Sequence, residues 1–238
     1  MRAAVLLSGG KDSVLAAHLA AERGYELTHG LTVVPSDPES TMFHVPNADL
    51  GTLVAEAMGL EPVRVRSGRD DDADLGELAR ILEALDVDAL VSGAIASRYQ
   101  KERLDRVCEE LGIEPVHPLW GMDPFEELEL LLELDFEVVI VAVAAAGLDA
   151  SWLGRRLDEA AVRDLRRLHD RYRVHPAGEG GEYETLVLDA PLYRERLVIE
   201  RVVRRWEGDS GYLEIRKVRT ESKNPRDDRT ELRRALAR

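Results

Sequence analysis

The sequence predicts an α/β protein: a doubly wound parallel sheet with helices on both faces, followed by a second, smaller α+β unit. Three observations carry this prediction. Apolar runs of strand length alternate with helical patterns through the first half of the 238 residues. The first run leads straight into a glycine turn, Ser8-Gly9-Gly10, which opens a helix. Past about residue 181 the hydrophobic period changes to two, and a hairpin signal interrupts it.

The strand candidates of the first half are 3–7, 27–34, 62–66, 88–92 and 114–117, separated by helical patterns near 12–23, 47–58, 74–85 and 97–111. In the last of these, Leu104, Val107, Cys108 and Leu111 fall on one stripe, so Cys108 reads as a core residue rather than a nucleophile. The segment Pro118-Leu119-Trp120-Gly121-Met122-Asp123-Pro124 marks a boundary. Asp123 suits an N-cap, Pro124 the first helical position and Glu126 the third, so a new helix is expected there. The two units are accordingly placed at 1–121 and 122–238.

In the second unit, Val138 to Ala146 reads as a buried strand. An amphipathic helix follows, with Leu157, Ala161, Leu165, Leu168 and Tyr172 on one face. A glycine-rich loop at 178–181 precedes a strand, Leu186-Val187-Leu188. Leu197–Trp206 and Tyr212–Val218, joined by Gly208-Asp209-Ser210-Gly211, read as a hairpin. From about Thr220 a charged tail is expected, with one short helical piece.

Composition narrows the function. The apolar fraction is 45% and the net charge −14. Residues 1–150 carry 11 Lys+Arg against 29 Asp+Glu, and residues 151–238 carry 21 against 17. An acidic front half is poorly suited to nucleic acid, so no nucleic-acid partner is expected. The six histidines show no metal-ligand spacing, and with a single cysteine a zinc site is disfavoured. No apolar run reaches bilayer length and no leader segment is visible, so no membrane role is expected. With Cys108 unable to form an internal disulfide, the expected location is cytoplasmic.

The chemistry begins at Ser8-Gly9-Gly10-Lys11-Asp12-Ser13. A helix N-terminus presents unpaired N–H groups and partial positive charge, which suits an anion. Gly9 and Gly10 admit a sharp turn and close approach to phosphate oxygens; Lys11 adds charge, Ser13 a hydroxyl, and Asp12 a carboxylate able to hold Mg²⁺ or its waters. The Walker P-loop is excluded, because no glycine precedes Gly9. In open α/β sheets ligands bind beyond the carboxyl ends of the strands. That brings in Val34 at the end of strand two and Gly93 after strand four. Ser97 reads as a helix cap, and Arg98, Tyr99, Gln100, Lys101 and Arg103 as donors. A second cluster, Gly178-Glu179-Gly180-Gly181-Glu182-Tyr183-Glu184-Thr185, packs three carboxylates, a phenol and a hydroxyl around three glycines. Such like charges need a cation or donors to meet them.

S-G-G-K-D-S resembles the PP-loop of the ATP pyrophosphatase superfamily. That resemblance implies a HUP-like fold, ATP bound through its β,γ-pyrophosphate, and release of AMP and pyrophosphate. Taken together, S-G-G-K-D-S, G-A-I-A-S-R-Y-Q at 93–100 and G-E-G-G-E-Y-E-T at 178–185 resemble the diphthine–ammonia ligases. Pro118-Leu119-Trp120 and Leu188-Asp189-Ala190-Pro191-Leu192 also look like family segments, and the similarity runs from residue 2 to about 218.

The resemblance implies amidation of the diphthine carboxylate on elongation factor 2, with ATP, Mg²⁺ and free ammonia, through an acyl-adenylate. It implies that Ser8, Gly9, Gly10, Lys11, Asp12, Ser13, Val34 and Gly93 hold ATP. Tyr99, Gln100, Arg103 and the 178–185 segment would hold the second substrate. Lys11, Asp12, Glu182 and Glu184 are the catalytic candidates, Asp12 the candidate Mg²⁺ ligand, and Tyr183 a ring face for the trimethylammonium group. His44, in the loop after strand two, reads as a surface or packing residue. A homo-oligomer is compatible with the sequence. Two other readings stay open at this point: a PP-loop amide ligase acting on another carboxylate, and a nucleotide sensor without turnover.

Overall fold

The computed structural model describes residues 1–35, 50–67 and 71–223. The expected loop around Met42-Phe43-His44, the start of the helix predicted from 47, and the tail from 224 lie outside the described residues.

The first half alternates β1 (Arg2–Leu6), α1 (Lys11–Glu22), β2 (Glu26–Pro35), α2 (Leu50–Met58), β3 (Glu61–Ser67), α3 (Asp71–Ala84), β4 (Ala89–Val91), α4 (Arg98–Leu111) and β5 (Glu114–Val116). Its five strands are parallel, in the order β3-β2-β1-β4-β5. The predicted doubly wound sheet is therefore present, and its strand order reverses at β1. Alternation along the strands sends side chains to two cores. Ala3, Val5, Ala89 and Val91 pack with α1 and α2 residues such as Val14, Ala17 and Val54. Ala4, Leu31, Val65 and Leu90 pack on the other face with Leu78 and Leu82 of α3 and with Val107 and Cys108 of α4. Cys108 is fully buried, and burial pushes its thiol up to about 12, as expected of a core residue.

The second half runs α5 (Pro124–Glu133), β6 (Glu137–Val143), a 3₁₀ turn (Ala150–Trp152), α6 (Glu159–Tyr172), β7 (Tyr183–Asp189), β8 (Glu195–Glu207) and β9 (Ser210–Ser222). Asp123 caps α5, accepting from the N–H groups of Phe125 and Glu126, with Pro124 in the first turn. The strands form a sheet in the order β7-β6-β9-β8, and the described pairings within it are antiparallel. Glu207 pairs with Ser210, so the hairpin turns on Gly208 and Asp209, with Gly208 at φ +61°.

Two features bear on the expected boundaries. β9 continues to Ser222, slightly past the expected start of the charged tail near 220, and Lys223 donates to Ala190 O and pairs with Asp189. The two halves also share one continuous core, in which Val14 and Leu15 of α1 join Ile140, Leu186 and Val187 of the second sheet.

Candidate active site

Strand β1 ends at Leu6 and α1 begins at Lys11, leaving Leu7 to Gly10 as the turn. Gly9 sits at φ +86°, a left-handed conformation that a side chain would strain. The turn is held from the second sheet: Val187 N–H donates to Gly9 O at 2.9 Å, and Lys11 N–H donates to Thr185 Oγ1 at 3.1 Å. β7 is an edge strand, so its outer N–H groups are free to do this. Ser13 Oγ donates to Gly10 O at 3.0 Å and lies 3.2 Å from Ser8 Oγ.

In front of this loop lies a cleft of about 630 Å³, at the carboxyl ends of β1, β2 and β4. It gathers Ser8, Asp12, Ser13, Gly93, Tyr99, Gln100, Arg103 and Glu179, so both sequence motifs and the segment after β4 meet in one place. Gly93 lets α1 come close, because a Cβ there would stand 2.8 Å from Asp12 C and Ser13 N. Ser97 caps α4 by accepting from Gln100 N–H, as expected. At the rim, Arg103 Nη1 donates to Tyr99 OH at 2.7 Å and stacks on its ring at 4.6 Å.

Other candidates stand elsewhere than the sequence suggested. The Lys11 side chain turns away from the cleft and is 1% exposed. Its ammonium pairs with Asp12, and with Glu127 of α5 at 3.0 Å. Burial works against that charge, but the Asp12 and Glu127 carboxylates outweigh it and raise the lysine's pKa. Burial pushes the Glu127 carboxyl up, while Lys11 pulls it back down.

Tyr183 is also inside: its ring is buried and its hydroxyl donates to Pro176 O, so it presents no face to a ligand in the cleft. Burial raises its phenol above the ordinary range. Glu182 is a staple of its own loop, accepting from His175 N–H at 2.9 Å and Gly180 N–H at 2.8 Å. Side chains alternate along β7, so Glu184 points to the face opposite Tyr183 and Thr185, away from the phosphate loop. The same alternation puts Val33 rather than Val34 on the cleft wall.

Gly180 and Gly181 are exposed in the turn that carries Glu179. Glu179 does reach the cleft, and its carboxyl is raised, first by desolvation and then by the Asp12 charge. Glu127 was not legible as a site residue: nothing local distinguishes it from the other glutamates of its helix.

The cleft fits a nucleotide. Its volume lies in the range of small-molecule sites. Asp12 and Ser13 of the first turn of α1 line it beside Ser8, and Leu31 and Val33 line it with apolar surface for a base. Among the described residues no group of three or more His, Cys, Asp or Glu could hold a metal by itself. The donor set suits Mg²⁺ carried by phosphates, with Asp12 adding a carboxylate.

A glycine loop at the helix end of the central strand, where the strand order reverses, defines a nucleotide-binding α/β protein, and S-G-G-K-D-S makes it one of the PP-loop class. Residues 1–115 match the model of the diphthamide synthase N-terminal domain, and residues 123–220 that of the C-terminal domain. The chain belongs to the diphthine–ammonia ligase family.

Diphthine–ammonia ligase of Bos taurus is 32% identical over 223 residues, which cover 84% of this chain and 83% of that protein. The Danio rerio relative is 32% identical over 250 residues, covering 94% and 98%. The Schizosaccharomyces pombe relative is 32% identical over 91% of this chain, which spans 39% of that longer protein. Among solved structures, a predicted subunit of tRNA methyltransferase from Methanocaldococcus jannaschii matches with TM-score 0.45 at 19% identity, over 80% of this chain and 97% of that one.

Proposed function

We propose that this protein is an AMP-forming carbon–nitrogen ligase that completes diphthamide, converting the diphthine carboxylate of elongation factor 2 to an amide with ATP and ammonia. One observation carries the reading: the family-specific 178–185 segment closes on the phosphate loop and delivers Glu179 to the wall that holds Asp12. A cleft suited to a nucleotide and a carboxylate suited to a cation therefore face the same space.

A carboxylate and ammonia do not condense unaided, because oxide is a poor leaving group. Attack of the carboxylate oxygen on the α-phosphorus forms an acyl-adenylate and releases pyrophosphate, after which ammonia displaces AMP. The α1 amides and Ser13 meet the phosphates where charge develops. Lys11, from beneath, adds a fixed positive charge and pairs with Asp12, the carboxylate that would hold Mg²⁺. Glu179 is the group placed to meet the trimethylammonium of diphthine or to take a proton from ammonium. Tyr99, Gln100 and Arg103 are placed to contact the arriving factor, whereas Glu182 acts by shaping the loop.

The unit boundary near 121 and a cytoplasmic location belong to this reading. Among the described residues no helix is long and apolar enough to cross a membrane. A homo-oligomer is compatible with it.

The test uses purified protein, Mg-ATP, ammonium and elongation factor 2 bearing diphthine, following AMP release and the mass of the factor. AMP in step with a mass fall of about one dalton, the difference between an acid and its amide, is the expected result. AMP without a mass change would redirect the search to another carboxylate, and no AMP would overturn the ligase.

A further inference from the structure

The first four N–H groups of a helix have no acceptor within it. On α1 they belong to Gly10, the N-cap, and to Lys11, Asp12 and Ser13. The first intrahelical bond runs from Val14 N–H to Gly10 O at 3.2 Å. Gly10 N–H donates to Ser8 Oγ at 3.2 Å, and Lys11 N–H donates to Thr185 Oγ1 at 3.1 Å, across 174 residues of sequence. The Asp12 and Ser13 N–H groups have no partner among the described residues, and both residues line the cleft.

An ordinary cap is a Ser, Thr, Asp or Asn at the N-cap, whose side chain accepts from the second or third amide of its own helix. On α1 those amides are the ones of Asp12 and Ser13, so a local cap would take up a donor that an anion needs. Gly10 carries no side chain to do this, although its φ of −76° and ψ of 163° suit any residue. Space does not forbid one either: a Cβ there would stand 3.3 Å from Ser8 Oγ and 3.5 Å from Thr185. The cap comes instead from β7, where Thr185 is fixed by its pairing with Ile140 of β6. Its hydroxyl takes the first amide, the one an N-cap side chain leaves alone. Thr185 itself does not line the cleft, so the contact with a second substrate that the sequence suggested for it is not its role.

We propose that Thr185 is a positioning residue for nucleotide binding: it caps α1 from the second sheet and so leaves the Asp12 and Ser13 N–H groups to the phosphates. The proposal rests on reading the cleft as an ATP site. The capped first turn is held in shape before ligand arrives, and the two donors that remain are spent on the anion rather than on the helix.

The test is binding of Mg-ATP, inorganic pyrophosphate and adenosine to the full chain, with no acceptor protein, by calorimetry and by displacement of a labelled ATP. Thr185→Val keeps the branched shape and removes the acceptor. It is expected to weaken ATP and pyrophosphate about 3- to 10-fold, the size of one lost cap, and to leave adenosine, which has no phosphate, unchanged. Thr185→Ser restores the hydroxyl and should return ATP affinity to within about twofold of the unsubstituted chain. If either partial ligand binds too weakly to follow, the other is compared with ATP. Should the valine variant not fold, Thr185→Ala makes the same comparison. An equal loss for ATP and adenosine would mean a general loosening of the cleft and would overturn the proposal, as would unchanged or tighter ATP binding, or no rescue by serine. Those results leave the ATP reading standing. Failure of the unsubstituted chain to bind ATP would overturn that reading, and this proposal with it.

Discussion

The Lys11 ammonium lies 3.0 Å from Oε1 of Glu127, and the two side chains are 1% and 0% exposed. A residue of the phosphate loop is thus tied, through the core, to the first helix of the second half. Removing one partner of a buried pair leaves an uncompensated charge, whereas removing both need not.

Lys11→Met and Glu127→Leu should each destabilise the fold, by up to about 3–5 kcal/mol, with the glutamate variant milder because Lys11 keeps Asp12. The double variant should lose less than the two singles combined. Urea denaturation of the four proteins measures this, and strictly additive losses would show that the pair is not coupled. Lys11→Ala is expected to abolish turnover.

Glu182→Ala removes the acceptor of two backbone N–H groups, those of His175 and Gly180. Each such charged bond is worth about 1.5–3 kcal/mol. The 175–182 loop should open, Glu179 should lose its place, and turnover should fall steeply. ATP affinity should survive, since Glu182 does not line the cleft. Hydrogen exchange at Gly180 together with calorimetry separates the two effects; unchanged exchange would remove the staple.

Gly93→Ala places a Cβ 2.8 Å from the Asp12 and Ser13 backbone, which cannot yield as a side-chain tip would. The first turn of α1 should shift, and ATP affinity should drop by roughly tenfold or more, about 1.4 kcal/mol. Gly76→Ala on α3, where a Cβ meets nothing within 4 Å, is the control and should be neutral or stabilising by up to about 1 kcal/mol. Equal affinities in both variants would contradict the close approach.

His18 lies buried on α1 against the edge of Phe136. Burial lowers its pKa from 6.5, despite the opposing charge of Glu22. His175 is likewise lowered by burial. For a lowered histidine the unfolded chain takes up the proton first, so its stability contribution is complete above about pH 6.5 and is lost as the pH falls below it. His18→Leu should flatten part of that acid limb. Melting temperatures from pH 7.5 to 5 test it; an unchanged slope would exclude His18 as a contributor.

The local features of this chain were legible from its sequence because their causes lie within a few residues. The 3.6 and two-residue periods, the Gly9 turn and the Asp123-Pro124 cap each depend on neighbours along the chain. So did the meeting of the phosphate loop with the segment after β4, since parallel strands send their carboxyl ends to one side, whereas the 178–185 segment is brought there by packing of the antiparallel sheet. The strand end near 220 was misplaced because β8 and β9 pair exposed, charged residues there, such as Glu200 with Lys217 and Arg219, and these dilute the apolar period.

Only the tertiary structure decided where the functional side chains point. Lys11 turned inward because Glu127, 116 residues away, supplies the buried countercharge, and Tyr183 because Pro176 O accepts its hydroxyl. The hydrogen bonds between Ser92 and His117 and between His117 and Asp105 likewise join three segments that carry no common pattern. Backbone form follows from local sterics and periodicity, whereas a polar side chain's direction is set by the partner that satisfies it, and that partner is chosen by packing.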